Sequence, residues 1–185
     1  VFVTSHSPTI TAKSDVNNIS ILQRKQSIIQ SFSFDELSED DYPKESKRHL
    51  RKFLDTTKAQ LFFANGVLLV EGVAEAIIIP ILAKKFLTEK IDLCKSGIEL
   101  VNIGGVAFNH FGLLFNNDDE RKRLLSKCAI ITDSDPKDNG DISDRAQKAK
   151  DLEKHNLKVC LATHTLEHDL FEQSERNKAI MRDVY

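Results

Sequence analysis

Four short apolar runs constrain the fold of this chain more than any other feature: "VLLV" (67–70), "IELVNI" (98–103), "CAIIT" (128–132) and "LKVCLAT" (157–163). Each is too short for a buried helix, and each is rich in β-branched or Leu residues. Between and after them lie longer stretches of helical composition: "AEAIIIPILAKKFL", "FNHFGLLF" leading to "RKRLLSK", "SDRAQKAKDLEKH" and, last, "LEHDLFEQSERNKAIMRDV". Strands that alternate with helices, and that are apolar on both faces, predict a parallel sheet of about four strands covered by helices. The fold class is therefore α/β, Rossmann-like. Within it Ser143 is the expected N-cap of its helix, and Pro80 should kink or delay the helix that contains it.

Ahead of the first run the pattern differs. "VFVTSHSP" reads as the end of a buried strand followed by a polar turn, and "ISILQRKQSIIQSF" as a hairpin or edge pair. "DELSEDDYP" is acidic and turn-rich, as in a linker. From Lys44 to Asn65-Gly66, Leu50, Phe53, Leu54, Leu61 and Phe62 fall near helical spacing with Lys47, Arg48, Arg51, Lys52 and Lys58 on other faces, which predicts one basic amphipathic helix. That basic face is more commonly solvated than DNA-bound. The chain opens at Val1 without an initiator Met, so it reads as a piece of a longer protein.

The charge balance narrows the function. A net charge of -2 is not that of a chain that holds DNA by charge alone. Cys94, Cys128 and Cys160 are scattered and form no CxxC pair, which suggests buried thiols in a reducing, cytoplasmic setting. No run has the length of a membrane span.

Ligands of open parallel sheets bind at the carboxyl ends of the strands. There the first strand ends in Glu71, with Glu75 four residues on. The third ends in Asp133, with Asp135 in "TDSDP", and the fourth is followed by Glu167 and Asp169 in "TLEHDL". Singly, each acid is more commonly a solvated loop residue. Together they form a self-repelling cluster that cations would stabilise, and hard oxygen donors suit Mg²⁺ or Mn²⁺, with room for two ions. Gly72 allows a tight turn after Glu71. Asp138, Asp141, Asp118, Asp119 and Glu120 read as solvated loop or helix-start residues.

The blocks "LLVEGVAEAIIIPILA", "VNIGGVAFNHF", "AIITDSDP" and "TLEHDL", in this order, resemble the Toprim domain of the OLD-family (overcoming lysogenization defect) ATP-dependent endonucleases. "KRHLRKFLDTTKAQLFFANG" extends the resemblance, which covers roughly residues 44–170. It implies that Glu71, Asp133 and Asp135 are catalytic, and that Glu71, Glu75, Asp133, Asp135, Glu167 and Asp169 hold one or two divalent ions. A transition-state lysine follows the last acidic block in this family, and Lys178 is the candidate here. "TDSDP" carries Ser134 where the family frequently has Gly. "VFVTSHSP" is similar to the last strand and turn of the family's ABC-type ATPase, which would make His6 the γ-phosphate sensor. No G-x-x-x-x-G-K-[ST] motif occurs, so the nucleotide-binding core is not in this chain.

The implied organisation is an ATPase-derived segment at 1–22, a connector with an amphipathic helix at 23–60 and a Toprim nuclease domain at 61–185. The implied activity is metal-dependent DNA cleavage controlled by an ATPase in cis, with ATP bound elsewhere in the full-length protein. Implied partners are DNA, further copies of the protein, and a helicase (Gabija-like) or a retron reverse transcriptase with its DNA, in anti-phage defence. Two alternatives remain: a topoisomerase- or primase-like Toprim module, and a non-catalytic regulatory Toprim domain. A topoisomerase needs a tyrosine nucleophile, and Tyr42 and Tyr185 both lie outside the strand-tip acids in sequence.

Overall fold

The computed structural model describes residues 1–86, 92–105 and 107–184. The four apolar runs form β3 (Gly66–Val70), β4 (Ile98–Asn102), β5 (Lys127–Thr132) and β6 (Leu157–Leu161), after a β1–β2 hairpin (Ser20–Lys25, Ile28–Ser33). The sheet is parallel throughout, in the order β4-β3-β5-β6. The chain leaves β3 toward β4 and later returns to β5 on β3's other side. The order therefore reverses between β3 and β5, and a crevice opens at their carboxyl ends.

The helices are α1 (Pro8–Lys13), α2 (Lys44–Phe53), α3 (Thr56–Ala59), α4 (Val73–Phe86), α5 (Phe108–Gly112), α6 (Asp144–Lys150), α7 (Leu166–Glu172) and α8 (Glu175–Val184). Ser143 caps α6 by accepting from the Ala146 amide at 3.1 Å. Pro80 is exposed and lies inside α4, which continues through it from Val73 to Phe86. Val73, Ile77, Ile81 and Phe86 are exposed on this helix. No described helix is long and apolar enough to cross a membrane.

Several expectations change. The single helix of 44–65 is two, because Asp55 accepts from the Lys58 amide at 2.8 Å and starts a new N-terminus. The last helix is also two, α7 and α8. Val1–Val3 form no strand and are exposed, because no described strand lies beside them to complete a ladder. Of the three thiols, Cys128 is buried while Cys94 and Cys160 are exposed. Cys160 lies on β6, along which side chains alternate between more and less covered faces, and it falls at an exposed position.

The hairpin is present, and Gln26 takes the left-handed conformation (φ 54°) that its two-residue turn requires. A boundary at 22/23 falls inside β1. One core runs from Val16, Phe32, Phe34 and Tyr42 through Leu50 and Leu61 to Leu69, Phe111, Ile130 and Leu157. The acidic "linker" is packed as well. Tyr42 is buried, and its hydroxyl donates to the His110 carbonyl. Beside it the Asp41 carboxylate accepts from Lys122 Nζ (2.7 Å), Ser38 Oγ (2.6 Å) and Asn117 Nδ2 (3.0 Å).

These contacts, Lys122 foremost, hold the Asp41 carboxyl well below the usual carboxylate range. A depressed carboxylate stabilises the fold fully above its unfolded value of about 3.9, and that stability is lost as pH falls through the lower folded value. Asp41→Asn is expected to cost about 1–2 kcal/mol at pH 7, with the deficit narrowing below pH 4. Thermal melts at pH 7 and pH 3 measure it, and an equal deficit at both would remove the assignment.

Candidate functional site

Parallel register decides what meets at the crevice. Val70 on β3 lies opposite Ile131 on β5, so the next residues, Glu71 and Thr132, emerge side by side. Thr132 Oγ1 donates to Glu71 Oε2 at 2.9 Å, which fixes the orientation of that carboxylate. From the other side, the Gly105 amide donates to the Glu71 carbonyl at 2.9 Å. Gly104 and Gly105 have φ of 69° and 120°, which favours glycine and explains the pair after "VNI".

Gly72 takes the N-cap place before α4, and its amide donates to Glu75 Oε2 at 3.0 Å. Glu75 is thus the reach-back acid of a capping-box arrangement, and it stands one helical turn from Glu71. A Cβ on residue 72 would lie 3.1 Å from that same oxygen, so a larger residue would push Glu75 away.

Asp133 follows β5 and is half-buried, with Oδ1 accepting from the Leu166 amide at 3.0 Å. Burial pushes its carboxyl up to about 6. The Leu166 amide opposes the rise, and the charges of Glu71, Asp135 and Glu167 add to it. Those three repulsions place the acids of three strand ends in one electrostatic neighbourhood. Asp135 sits at φ 41°, held by its amide's bond to the His164 carbonyl at 3.2 Å. Ser134 is buried, and its hydroxyl donates to the Thr163 carbonyl at 2.6 Å, tying the β5 turn to the β6 turn.

The remaining expected residues stand as follows. Glu167 is exposed in the first turn of α7. Asp169 is turned to the Thr163 amide (2.8 Å), which holds its carboxyl below the usual range. Lys178 Nζ pairs with Glu172 (2.9 Å) and Glu175 (3.2 Å) rather than with any strand-tip acid. His6 lies beside Phe63, with ring centroids 6.4 Å apart.

Arg145 is the residue that sequence reasoning missed. Its Nη1 donates to Glu71 Oε1 at 2.5 Å and its Nη2 to Asp135 Oδ2. The available signal was its position, since a cation in the first turn of a helix stands at the wrong end of the dipole. His164 and His168, with ring centroids 4.3 Å apart, were also unread. Among the described residues no three His, Cys, Asp or Glu side chains are grouped as a ready metal site. Arg145 stands between two of the expected ligands, where their mutual repulsion calls for positive charge.

The family model described as "Overcoming lysogenization defect protein-like, TOPRIM domain" matches residues 62–135, from just before β3 to Asp135. Over residues 62–135 this chain matches an OLD-like Toprim domain. Two solved structures are similar to it, both of the C-terminal region of the Xanthomonas campestris pv. campestris OLD protein. One, phased with platinum, has 26% identity and a TM-score of 0.44 over 67% of this chain and 63% of that one. The other, phased with iodine, has 24% identity and a TM-score of 0.41 over 66% of this chain and 64% of that one. The chain thus spans just under two thirds of each. A comparison with curated proteins finds no match. Within the Toprim domain, the matched segment contains Glu71, Glu75, Asp133 and Asp135; Glu167, Asp169 and Arg145 come from beyond it.

Proposed function

We propose that this chain is the nuclease part of an OLD-like protein, a divalent-metal-dependent DNA endonuclease domain controlled by an ATPase in cis. The observation that carries the reading is the meeting of Glu71, Asp133 and Asp135 at the crevice between β3 and β5 of a Toprim domain. The donor set fits Mg²⁺ or Mn²⁺: the oxygens are hard, they repel one another, and a guanidinium already lies among them. Glu71, Asp133 and Asp135 would hold the ion, with Glu75 and Glu167 beside it for a second. A bound divalent ion supplies an activated water and stabilises the leaving oxygen of a phosphodiester.

The chain's own contributions are positional. Thr132 and the Gly105 amide fix Glu71, and the Leu166 amide fixes one oxygen of Asp133. Burial and the neighbouring acids raise the Asp133 carboxyl to about 6, and a bound cation would offset that repulsion. In the same reading the segment ahead of β1 is the end of the ATPase domain, with His6 as its sensor. DNA, a homo-oligomer, a cytoplasmic setting and a role in anti-phage defence, alone or with a helicase or a retron, belong to the same reading.

The intact protein is expected to nick plasmid DNA with Mn²⁺, to stop on adding EDTA, and to respond to ATP. Cleavage unaffected by EDTA would sink the metal-dependent reading. The topoisomerase alternative gains nothing from Tyr42, whose hydroxyl is buried in the core and bonded to His110; Tyr185 lies outside the described residues.

A further inference from the structure

Arg145 is placed against its helix and partly against its own hydrogen-bonding needs. It stands in the first turn of α6, where the dipole disfavours a cation. Its Nε is buried and has no hydrogen-bond partner. The two terminal nitrogens compensate by gripping Glu71 and Asp135, acids from the tips of β3 and β5. A planar guanidinium is suited to such a span, since its fork reaches two carboxylates at once, whereas an ammonium is a point charge.

The oxygens it grips, Glu71 Oε1 and Asp135 Oδ2, are ones a metal ion would need. A carboxylate oxygen committed to a 2.5 Å charge-assisted hydrogen bond is not free to ligate. Open space also lies beside the same side chain. Arg145 lines a cleft of about 360 Å³ between α5 and α6, with Phe108, Asn109, Lys148, Ala149 and Leu152. Its apolar floor would take the methylene stem and its open mouth the guanidinium.

We propose that Arg145 is a displaceable placeholder cation. It holds the strand-tip acids together when no metal is present and must leave for the α5–α6 cleft before a divalent ion can enter. It is a positioning residue, and its effect is to set the metal concentration at which the site fills. This inference rests on the metal-site reading above.

The test measures Mn²⁺ binding by calorimetry, and melting temperature with and without Mn²⁺, in the intact protein free of nucleotide. The proteins are wild type, Arg145→Gln and Arg145→Lys. Arg145→Gln is expected to melt lower than wild type without metal. It should bind Mn²⁺ about 3- to 10-fold more tightly and gain more in melting temperature on adding it, because the ion no longer competes with a resident charge. Arg145→Lys keeps the charge but not the fork, so it should bind Mn²⁺ about 2-fold more tightly even if the Gln variant does not fold. Binding by both variants that is equal to or weaker than wild type would overturn the placeholder role while leaving the metal site standing. No Mn²⁺ bound by any of the three proteins would overturn both.

Discussion

Asp133→Asn in the intact protein is expected to reduce Mn²⁺-dependent plasmid nicking by at least about 100-fold. Loss of a ligating carboxylate removes charge where the ion must sit, and Glu71→Ala should do the same. Asn is the more informative choice at 133. Its side-chain oxygen still accepts from the Leu166 amide, the contact that ties β5 to the start of α7. The variant therefore loses the charge but keeps the acceptor, and it relieves the repulsion from Glu71, Asp135 and Glu167. Its melting temperature without metal should match or exceed wild type, while its Mn²⁺-induced gain disappears. Wild-type nicking by either variant would remove these acids from the site.

Phe34→Ala is expected to be the most damaging change outside the strand tips. Phe34 is fully buried and meets three aromatic rings edge-on: Phe32 at 5.1 Å, Tyr42 at 5.9 Å and Phe62 at 6.0 Å. Those rings come from the hairpin, the acidic segment and the turn before β3, so this one side chain joins parts of the chain that read as separate pieces. Truncation leaves a cavity that three rigid rings cannot close, for a loss of about 3–5 kcal/mol. That corresponds to a fall in melting temperature of about 10–15 °C for a chain of this size. Calorimetry should still show one transition, because hairpin and sheet share a core. A small early transition with the main one unmoved would mean that the hairpin packs independently.

The strands were legible because their signal is strong and local: short, apolar, β-rich runs separated by longer helical ones. The placing of Glu71, Asp133 and Asp135 at one edge followed from parallel topology alone. What stayed hidden depends on partners. Asp55 has the chemistry of a cap, but hydrophobic spacing on both sides masked the break there. Val1–Val3 have strand composition, yet a strand needs a neighbour. Cys160 reads as core, yet it falls at an exposed position of β6. Arg145 lies 74 residues from Glu71, and its role appears only once α6 is set beside the tip of β5.

The strand order carries a consequence for how the molecule assembles. Glu71 and Asp133 reach the same edge of the sheet because β5 returns to β3 after β4 has already been laid on the other side. Closing that contact joins positions about sixty residues apart, with the loop-closure cost that long-range parallel pairing carries. A nascent chain emerging from the ribosome therefore displays Glu71 long before it has an Asp133 to oppose it. Its acids stay dispersed until three βα units have docked, so a half-made chain holds the ingredients of the site without its geometry.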